Sequence, residues 1–257
     1  MEIIRFENVV KSYEGGEKII KDLTFAVSRG EFITMIGKSG SGKTTVLKLI
    51  NGLIRPDSGV IYINDQAISN QDIINLRRNI GYVIQQVGLF PHMNIEENIA
   101  YVLKIKKEAR DVQKARAAQL IDLMGLSRNY LEKYPRELSG GQKQRVGVAR
   151  ALAADPEIIL MDEPFGAVDE ITRKLLQEEL LKLQTVLKKT IVFVTHDIEE
   201  AFRLGSRIFL LDQGGIMQQG NREALLFTPE NEFVASFLGS KNFVAYLKEE
   251  FTNGRAY

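Results

Sequence analysis

The chain has 257 residues, of which 44% are hydrophobic and 26% are charged, a composition typical of a globular protein with a sizeable core. Its 34 basic and 33 acidic residues give a formal net charge of +1, so no global field favours nucleic acid or anionic lipid as a partner. The sequence contains no cysteine, which excludes disulfides and cysteine-ligated metal sites and suits a reducing compartment.

The start of the chain has no targeting pattern. Its first residues, MEIIR, lack the basic start and apolar stretch of a signal peptide. No apolar run approaches the roughly 20 residues that a membrane-spanning helix needs. We therefore expect any membrane role to be exercised through a partner.

The predicted elements begin with β structure and continue as an α/β core. The first thirty residues alternate in the manner of strands, with a turn at 14–17, and residues 59–63 add another β-rich piece. We expect these segments to form an antiparallel β layer. Near-continuous apolar runs separated by helical stretches indicate a parallel sheet covered on both faces. These runs are residues 32–36, 80–84, 158–161, 191–195 and 208–211.

A helical segment interrupts the strands of this core. Residues 94–128 are rich in Lys, Glu and Ala, contain no strand pattern, and end near a stop signal at Gly125. We predict an inserted helical subdomain at approximately 88–155, after which the chain rejoins the sheet at Ile158. Short helices are expected beyond Gly220, followed by a polar tail at 240–257.

The segment GKSGSGKT, residues 37–44, has the pattern of a phosphate-binding loop. It follows a predicted strand and precedes a predicted helix that ends near Asn51, which is the context this motif requires. Its glycines let backbone N–H groups surround phosphate oxygens, and the helix start adds partial positive charge. Lys43 is expected to reach the β- and γ-phosphates, and the Thr44 hydroxyl to ligate Mg²⁺. The candidate nucleotide-binding residues of this loop are Gly37, Lys38, Ser39, Gly40, Ser41, Gly42, Lys43, Thr44 and Thr45.

Two carboxylates follow the apolar strand at 158–161. Beside a phosphate-binding loop, the first acid of such a pair holds Mg²⁺, and that role is assigned to Asp162. Glu163 is the candidate general base for the attacking water. The alternative is a solvated strand end, which would be the better interpretation if the phosphate-binding loop were absent.

Two histidines occur in the chain, and only one has a suggestive context. His196 follows the strand at 191–195, at the edge of a parallel sheet where ligands bind. There we expect it to hydrogen-bond the γ-phosphate and to orient the water or Glu163. A structural role is the alternative. We expect His92 to be a loop residue.

A second anion-binding helix start is predicted at LSGGQ, residues 138–142. Ser139 and Gln142 have capping-box spacing at the start of a helix that runs through Arg150. Two glycines weaken the first turn, and close approach of the backbone to an anion supplies a reason for them. The phosphate-binding loop already supplies phosphate donors, so this second site implies another ligand or another face of the same ligand.

The segment LSGGQKQRVGVARAL, residues 138–152, resembles the signature region of ABC ATPases, and similarity to that family covers about residues 3–239. The resemblance implies a RecA-like phosphate-loop core with an antiparallel β layer and an inserted α-helical subdomain, all within residues 1–239. It also implies ATP and Mg²⁺ as cofactors and a head-to-tail dimer of two copies. Residues of one copy would then close over ATP held by the other copy: Ser139, Gly140, Gly141, Gln142 and Asp169.

The resemblance assigns roles to further residues. Tyr13 matches the aromatic residue that stacks on adenine, with packing on the β layer as the alternative. Gln85 matches the glutamine that contacts Mg²⁺ and senses the transport partner, although an assignment to the adjacent Gln86 stays open. Asp169 matches the loop aspartate that links the two sites of the dimer.

Longer segments resemble the ATPases of bacterial importers for glycine betaine, choline and carnitine; they are residues 76–99, 161–184 and 191–208. This similarity implies an ATPase subunit on the cytoplasmic face of the membrane, bound to a permease and served indirectly by an extracytoplasmic solute-binding protein. Many such ATPases carry paired regulatory domains, and the tail at 240–257 cannot contain them. The solute class is implied by analogy alone.

Other functions remain as alternatives. An importer for another small solute, such as an amino acid, methionine or an anion, would share these motifs. A DNA-repair or chromosome-structure ATPase normally separates the two motifs by a long coiled coil, and the interval between Thr44 and Leu138 leaves no room for one. A translation-associated ABC protein normally joins two ATPase units in one chain. A catalytically inactive module is disfavoured by Glu163 and His196.

Overall fold

The computed structural model describes residues 1–13, 16–85, 88–166 and 168–239. The first half contains β1 (Glu2–Ser12), β2 (Lys18–Ser28), β3 (Phe32–Gly37), α1 (Lys43–Ile50), β4 (Ser58–Ile63), β5 (Gln66–Ala67), α2 (Ile73–Arg78), β6 (Ile80–Val83), α3 (Ile95–Ile105) and α4 (Arg110–Leu123). The second half contains α5 (Gly140–Leu152), β7 (Ile158–Asp162), α6 (Glu170–Leu187), β8 (Thr190–Val194), α7 (Ile198–Leu204), β9 (Arg207–Asp212), β10 (Gly215–Gly220), α8 (Arg222–Phe227) and α9 (Glu232–Gly239). Short 3₁₀ helices occur at Ile68–Asn70, Arg128–Glu132 and Pro135–Glu137.

The chain divides into two compact units. The first unit is Met1–Ala67 together with the chain from Phe193 onward, and the second unit is Ile68–Val192. Strand β8 contains the residue at which the chain passes from the second unit back to the first. Within the part of the chain that the structure describes, no helix is both long and apolar enough to cross a membrane.

The first unit contains the predicted antiparallel β layer, with the strand order β2-β1-β4-β5. In β1 the side chains of Ile4 and Phe6 are buried and those of Arg5 and Glu7 are partly exposed, which is the alternation of a sheet with one covered face. The rings of Phe6 and Phe25 stack with their centroids 4.5 Å apart. Only part of the predicted turn at 14–17 lies among the described residues.

The first unit also holds three strands of the apolar core. Strand β3 pairs parallel with β9, and β9 pairs antiparallel with β10. Every residue of β3 is buried, as the apolar run at 32–36 predicts for a strand covered on both faces. Because β3 is packed on both faces, its last residue, Gly37, holds the start of the following loop in a fixed position.

Helices α7, α8 and α9 pack on one apolar cluster in the first unit. The cluster includes Ile36 of β3, Phe202 of α7, Leu226 of α8 and Leu238 of α9, and Phe233 packs against it. The Phe233 ring also makes a cation–π contact with Lys38, whose ammonium nitrogen lies 5.1 Å from the ring centroid. Helix α9 thus contacts the segment that follows β3.

The second unit combines a parallel strand pair with helices. Strands β6 and β7 pair in parallel, with Ile80 opposite Ile158 and Val83 opposite Met161. Helix α5 packs closely on β6, since a Cβ added to Gly81 would stand 2.5 Å from the Ala151 carbonyl oxygen. Helices α3, α4 and α5 pack together through buried residues that include Ile99, Leu120, Ile121 and Val146.

The predicted strands agree with the structure except for two short ones. The runs at 32–36, 80–84, 158–161, 191–195 and 208–211 correspond to β3, β6, β7, β8 and β9, each within one residue at either end. Strands β5 and β10 were not predicted because Gln-Ala and GIMQQG lack an apolar alternation of useful length; pairing with β4 and β9 stabilises them. The tail at 240–257 lies outside the described residues.

Candidate functional site

The loop after β3 has the backbone of an anion-binding turn. Gly40 and Gly42 adopt φ angles of +79° and +100°, which are accessible to glycine at little cost. A Cβ on Gly42 would stand 2.6 Å from the Ile20 side chain, so glycine is required there on two grounds. Gly42 is also the N-cap of α1 and provides no side-chain cap, so the positive end of the α1 dipole begins at this loop.

Lys43 is held at the mouth of this loop. Only 7% of the residue is exposed, and its ammonium donates to the carbonyl oxygens of Gly37 at 2.9 Å and Lys38 at 2.8 Å. It also donates to Ser41 Oγ at 3.2 Å. Thr44 is half-buried and Thr45 is buried, whereas Lys38, Ser39 and Gly40 are exposed. The loop backbone, the start of α1 and the Lys43 ammonium together suit a bound polyphosphate.

The first unit also contains Tyr13 and His196. Tyr13 follows β1 and is 44% exposed, which leaves ring surface open for stacking on a ligand. His196 is exposed and follows β8, immediately before the Asp197 cap of α7. Two hydrogen bonds of the buried Thr195 hydroxyl hold this cap in place. The hydroxyl donates to the Glu200 carboxylate at 2.6 Å and accepts from the Asp197 N–H at 3.0 Å.

Thr195 and Glu200 were not among the predicted site residues, although they support the turn that carries His196. A signal for them exists in the sequence. Asp197 followed three residues later by Glu200 has capping-box spacing, which marks the start of α7 directly after the histidine.

In the second unit the structure brings Gln85 and Glu163 together. Asp162 ends β7 and is 6% exposed, and Glu163 follows it with a φ of +45°, an uncommon conformation for a residue with a side chain. Gln85 Nε2 donates to Glu163 Oε2 at 3.0 Å. Gln86, the alternative in the sequence, lies outside the described residues.

Tyr82 lies on β6 beside the strand that ends in Asp162. Burial of the phenol, together with the Asp162 charge, raises the pKa of Tyr82 from 10.0 to about 12. The raised pKa favours the neutral phenol in the folded chain. The contribution of the Tyr82 phenol to the free energy of unfolding is therefore fully present below pH 10 and is lost as pH rises toward 12.

We expect the urea midpoint of the wild-type chain to fall more steeply between pH 10 and 12 than that of Tyr82→Phe. Urea unfolding of both proteins at several pH values measures the difference. Equal pH dependence in the two proteins would contradict the raised pKa.

The predicted capping box at the start of α5 is present. Ser139 Oγ accepts from the Gln142 N–H at 3.3 Å, and Gln142 Oε1 accepts from the Ser139 N–H at 2.9 Å. This turn lines a surface cleft of about 580 Å³. The cleft residues predicted from the sequence are Ser139, Gly140, Gly141, Gln142 and Asp169. Tyr130, Arg145 and Thr172 also line it and were not predicted.

Asp169 joins this cleft as the N-cap of α6. Its carboxylate accepts from the Thr172 N–H at 3.0 Å, and this hydrogen bond lowers the pKa of Asp169 below its usual value. The side chain therefore carries its charge at neutral pH. A Cβ on Gly141 would lie 3.3 Å from Thr172 Cγ2, so α5 and α6 begin close to each other.

The predicted residues thus lie in groups within the two units. The phosphate-binding loop, Tyr13 and His196 belong to the first unit; Gln85, Asp162, Glu163 and the cleft belong to the second. His92 lies in a turn, as expected, with its ring 6.0 Å from Phe90.

Comparison with known proteins places these features in one family. The model of the ABC transporter family matches residues 20–166, more than half of the chain. The chain belongs to the ABC transporter family. The predicted family is therefore confirmed, and the match covers the phosphate-binding loop, the signature and Glu163 of this ABC transporter chain.

Two relatives of this ABC transporter chain are bacterial transport proteins. It is 52% identical over 242 residues to the glycine betaine/carnitine/choline transport ATP-binding protein OpuCA of Bacillus subtilis, covering 94% of this chain and 64% of the relative. It is 48% identical over 237 residues to the glycine betaine uptake system ATP-binding protein YehX of Escherichia coli, covering 92% of this chain and 77% of the relative.

A solved structure confirms the predicted ABC ATPase fold. The dimeric post-hydrolysis structure of the ATP-binding cassette MJ0796, bound to ADP and Pi, matches with a TM-score of 0.79 and 35% sequence identity. The match covers 85% of this chain and 98% of that chain.

Proposed function

We propose that this chain is the ATP-hydrolysing subunit of a bacterial ABC importer and that two copies act head to tail. The observation that carries the proposal is the cleft in the second unit, where Ser139, Gly141 and Asp169 line one surface. Phosphate donors around Lys43 belong to the first unit, so the cleft offers a second anion-binding helix start. The dimeric state of the related cassette MJ0796 supports two copies.

The residues of one chain would bind ATP in two ways. Tyr13 would stack on the adenine, and its exposed ring is suited to that contact. The N–H groups of the loop and the Lys43 ammonium would hold the phosphates. The signature residues and Asp169 would complete the site of the second copy by directing the start of α5 toward its γ-phosphate.

Mg²⁺ would be held by oxygen ligands from Thr44, Gln85 and Asp162. The donor set suits a hard cation, and Asp162 supplies a carboxylate at the buried end of a strand. Held by these residues, the ion would supply positive charge against the phosphates. Gln85 also bonds Glu163 in the structure, which links the proposed metal ligand to the proposed base.

Hydrolysis in this proposal needs no covalent intermediate. Glu163 would position the attacking water and accept a proton from it. His196 would hydrogen-bond the γ-phosphate and orient the water. Lys43 and the opposing Ser139 turn would stabilise the developing charge. Binding and release of ATP would then close and open the pair of subunits.

For the transported solute we propose osmoprotectants such as glycine betaine, carnitine or choline. The support is the identity of about 50% to two relatives: OpuCA, whose name states transport of glycine betaine, carnitine and choline, and YehX, whose name states uptake of glycine betaine. This chain spans 64% of the length of OpuCA, so the activity of the whole relative is extended to it only as a proposal. An importer for another small solute, such as methionine, another amino acid or an anion, is the second candidate.

The partners follow from this role. Permease subunits would seat the chain at the cytoplasmic face of the membrane, with the helical region and the segment around Gln85 receiving a permease helix. An extracytoplasmic solute-binding protein would act indirectly. Nucleic acid is not proposed as a partner: at 1.5 Å per residue, α3 and α4 are only about 16 and 21 Å long, far short of a DNA-repair coiled coil.

Mixing two inactive variants tests the head-to-tail pair. Lys43→Ala disables the loop, and Gly141→Asp places a negative charge in the cleft, with its Cβ 3.3 Å from Thr172. Each variant alone should be inactive. A mixed pair contains one intact loop facing one intact cleft, so an equimolar mixture should recover ATP hydrolysis at about a quarter of the wild-type rate.

The controls for this mixing experiment are each variant at doubled concentration and a mixture of each with buffer. A mixture as inactive as its components, with both variants folded and the Gly141→Asp variant binding ATP, would refute the shared site.

The solute is tested separately. A permease and a solute-binding protein identified from the genes next to that of this chain would be co-expressed with it in membrane vesicles, and uptake of labelled glycine betaine, choline, methionine and sulfate compared. We expect ATP-dependent uptake of the quaternary amines, which an aromatic cage in the binding protein would recognise. Uptake of methionine or sulfate alone would favour the second candidate.

A further inference from the structure

Tyr130 contacts the signature turn without belonging to the motif. Its hydroxyl accepts a hydrogen bond from Gln142 Nε2 at 3.1 Å, and the residue lines the same cleft as Ser139 and Gly141. We infer that Tyr130 is a positioning residue for ATP hydrolysis, which holds the start of α5 in place through Gln142. The inference rests on the proposed function, because it gives Tyr130 a part in the cleft that would close over the second copy's ATP.

Gln142 connects the helix cap to Tyr130. Its Oε1 accepts from the Ser139 N–H at 2.9 Å, which closes the capping box, and its Nε2 donates to Tyr130. Both hydrogen bonds involve one planar amide. The amide orientation that lets Nε2 donate to the Tyr130 hydroxyl therefore also places Oε1 to accept from the Ser139 N–H. The position of Ser139 is therefore coupled to the position of Tyr130.

The start of α5 needs support from outside the helix. Gly140 and Gly141 occupy its first two positions, and glycine weakens a helix relative to alanine. The other half of the cap is a long hydrogen bond, 3.3 Å from the Gln142 nitrogen to Ser139 Oγ. An additional anchor on Gln142 would keep this glycine-rich turn in one conformation.

Tyr130 is itself fixed independently of α5. Its N–H donates to the Ser127 carbonyl at 3.0 Å, and its carbonyl accepts from the Lys133 N–H at 3.1 Å. The Lys133 ammonium lies 4.3 Å from the centroid of its ring. The Lys133 carbonyl accepts from the Ile95 N–H at 2.9 Å, which ties this turn to the start of α3. The hydroxyl is therefore presented from a fixed support.

The Tyr130→Phe variant tests the inference, because it keeps the ring and its contact with Lys133 and removes only the hydroxyl. We expect its ATP hydrolysis rate to fall about fivefold, the effect of one neutral hydrogen bond. The affinity of the single chain for ATP should not change, since the phosphate-binding loop belongs to the other unit. Turnover is measured by phosphate release and affinity by titration with a fluorescent ATP analogue.

Tyr62→Phe is the matched control. The Tyr62 ring also contacts a cation, with Arg5 Cζ 4.4 Å from its centroid, and the residue lies in the β layer. Its turnover should equal that of the wild type. Tyr130→Phe turnover equal to that of Tyr62→Phe would overturn the inference.

A double-mutant cycle separates action through Gln142 from a general structural role. If Tyr130 acts through Gln142, adding Tyr130→Phe to Gln142→Ala should lower turnover no further. Additive losses would overturn the inference, and so would a large fall in melting temperature of Tyr130→Phe alone. Failure of the proposed function would be seen differently, because the wild-type chain itself would then not hydrolyse ATP.

Discussion

Replacing Glu163 by glutamine is expected to lower the rate of ATP hydrolysis by about two to four orders of magnitude, the usual contribution of a general base. Glutamine has nearly the same shape as glutamate but cannot accept the proton of the attacking water. ATP binding should be retained, because Lys43 and the loop backbone are unchanged. The variant should therefore accumulate as an ATP-bound dimer, which size-exclusion chromatography with and without ATP would detect.

Glu157→Gln is the matched control for this substitution. Glu157 is an exposed carboxylate that precedes β7, whereas Glu163 follows the same strand. Its hydrolysis rate should be that of the wild type. If Glu163→Gln hydrolysed ATP as fast as Glu157→Gln, another residue would have to activate the water.

Replacing Lys43 by alanine is expected to weaken ATP binding by about 10- to 100-fold, because charge-assisted hydrogen bonds to phosphate contribute roughly 1.5–3 kcal/mol. The ammonium also donates to Gly37, Lys38 and Ser41, so its loss removes a support of the loop itself. Both effects act in the same direction. Calorimetric titration with ATP and Mg²⁺ measures the affinity.

Lys48→Ala provides the control for charge on the same helix. Lys48 lies in the last turn of α1, five residues after Lys43, and is half-buried. Its substitution should leave ATP affinity within about twofold of the wild type, as expected for a partly exposed charge. Equal affinities for the two lysine variants would remove the basis for assigning phosphate contact to Lys43.

Local patterns predicted much of the fold. The buried strands were found because each is a short, continuous apolar run, and the start of α5 because Ser139 and Gln142 form a capping box within one turn. The phosphate-binding loop was found because Gly40 and Gly42 reflect a backbone conformation that depends on a few consecutive residues. In each case the information lies within a window of about ten residues.

Contacts between distant residues were beyond these patterns. Gln85 and Glu163 are 78 positions apart. The pair of acids at a strand end suggested a role for Glu163, whereas only family resemblance suggested one for Gln85. Tyr130 and Thr172 carry no motif of their own, and they reach the signature cleft because a 3₁₀ turn and α6 place them there. The Lys38 contact with Phe233 likewise depends on how α9 packs on its apolar cluster. Such pairs are set by tertiary packing.

The packing of α9 has a practical consequence for recombinant work. An expression fragment that stopped after Phe227 would keep every recognised nucleotide motif, yet it would take Val234 and Leu238 out of the apolar cluster and remove the ring beside Lys38. Such a fragment would be prone to aggregation, with the loop that carries Lys43 less firmly held. Residues 232–239 should therefore be retained in any shortened version, and purification tags are better joined at a point beyond Gly239.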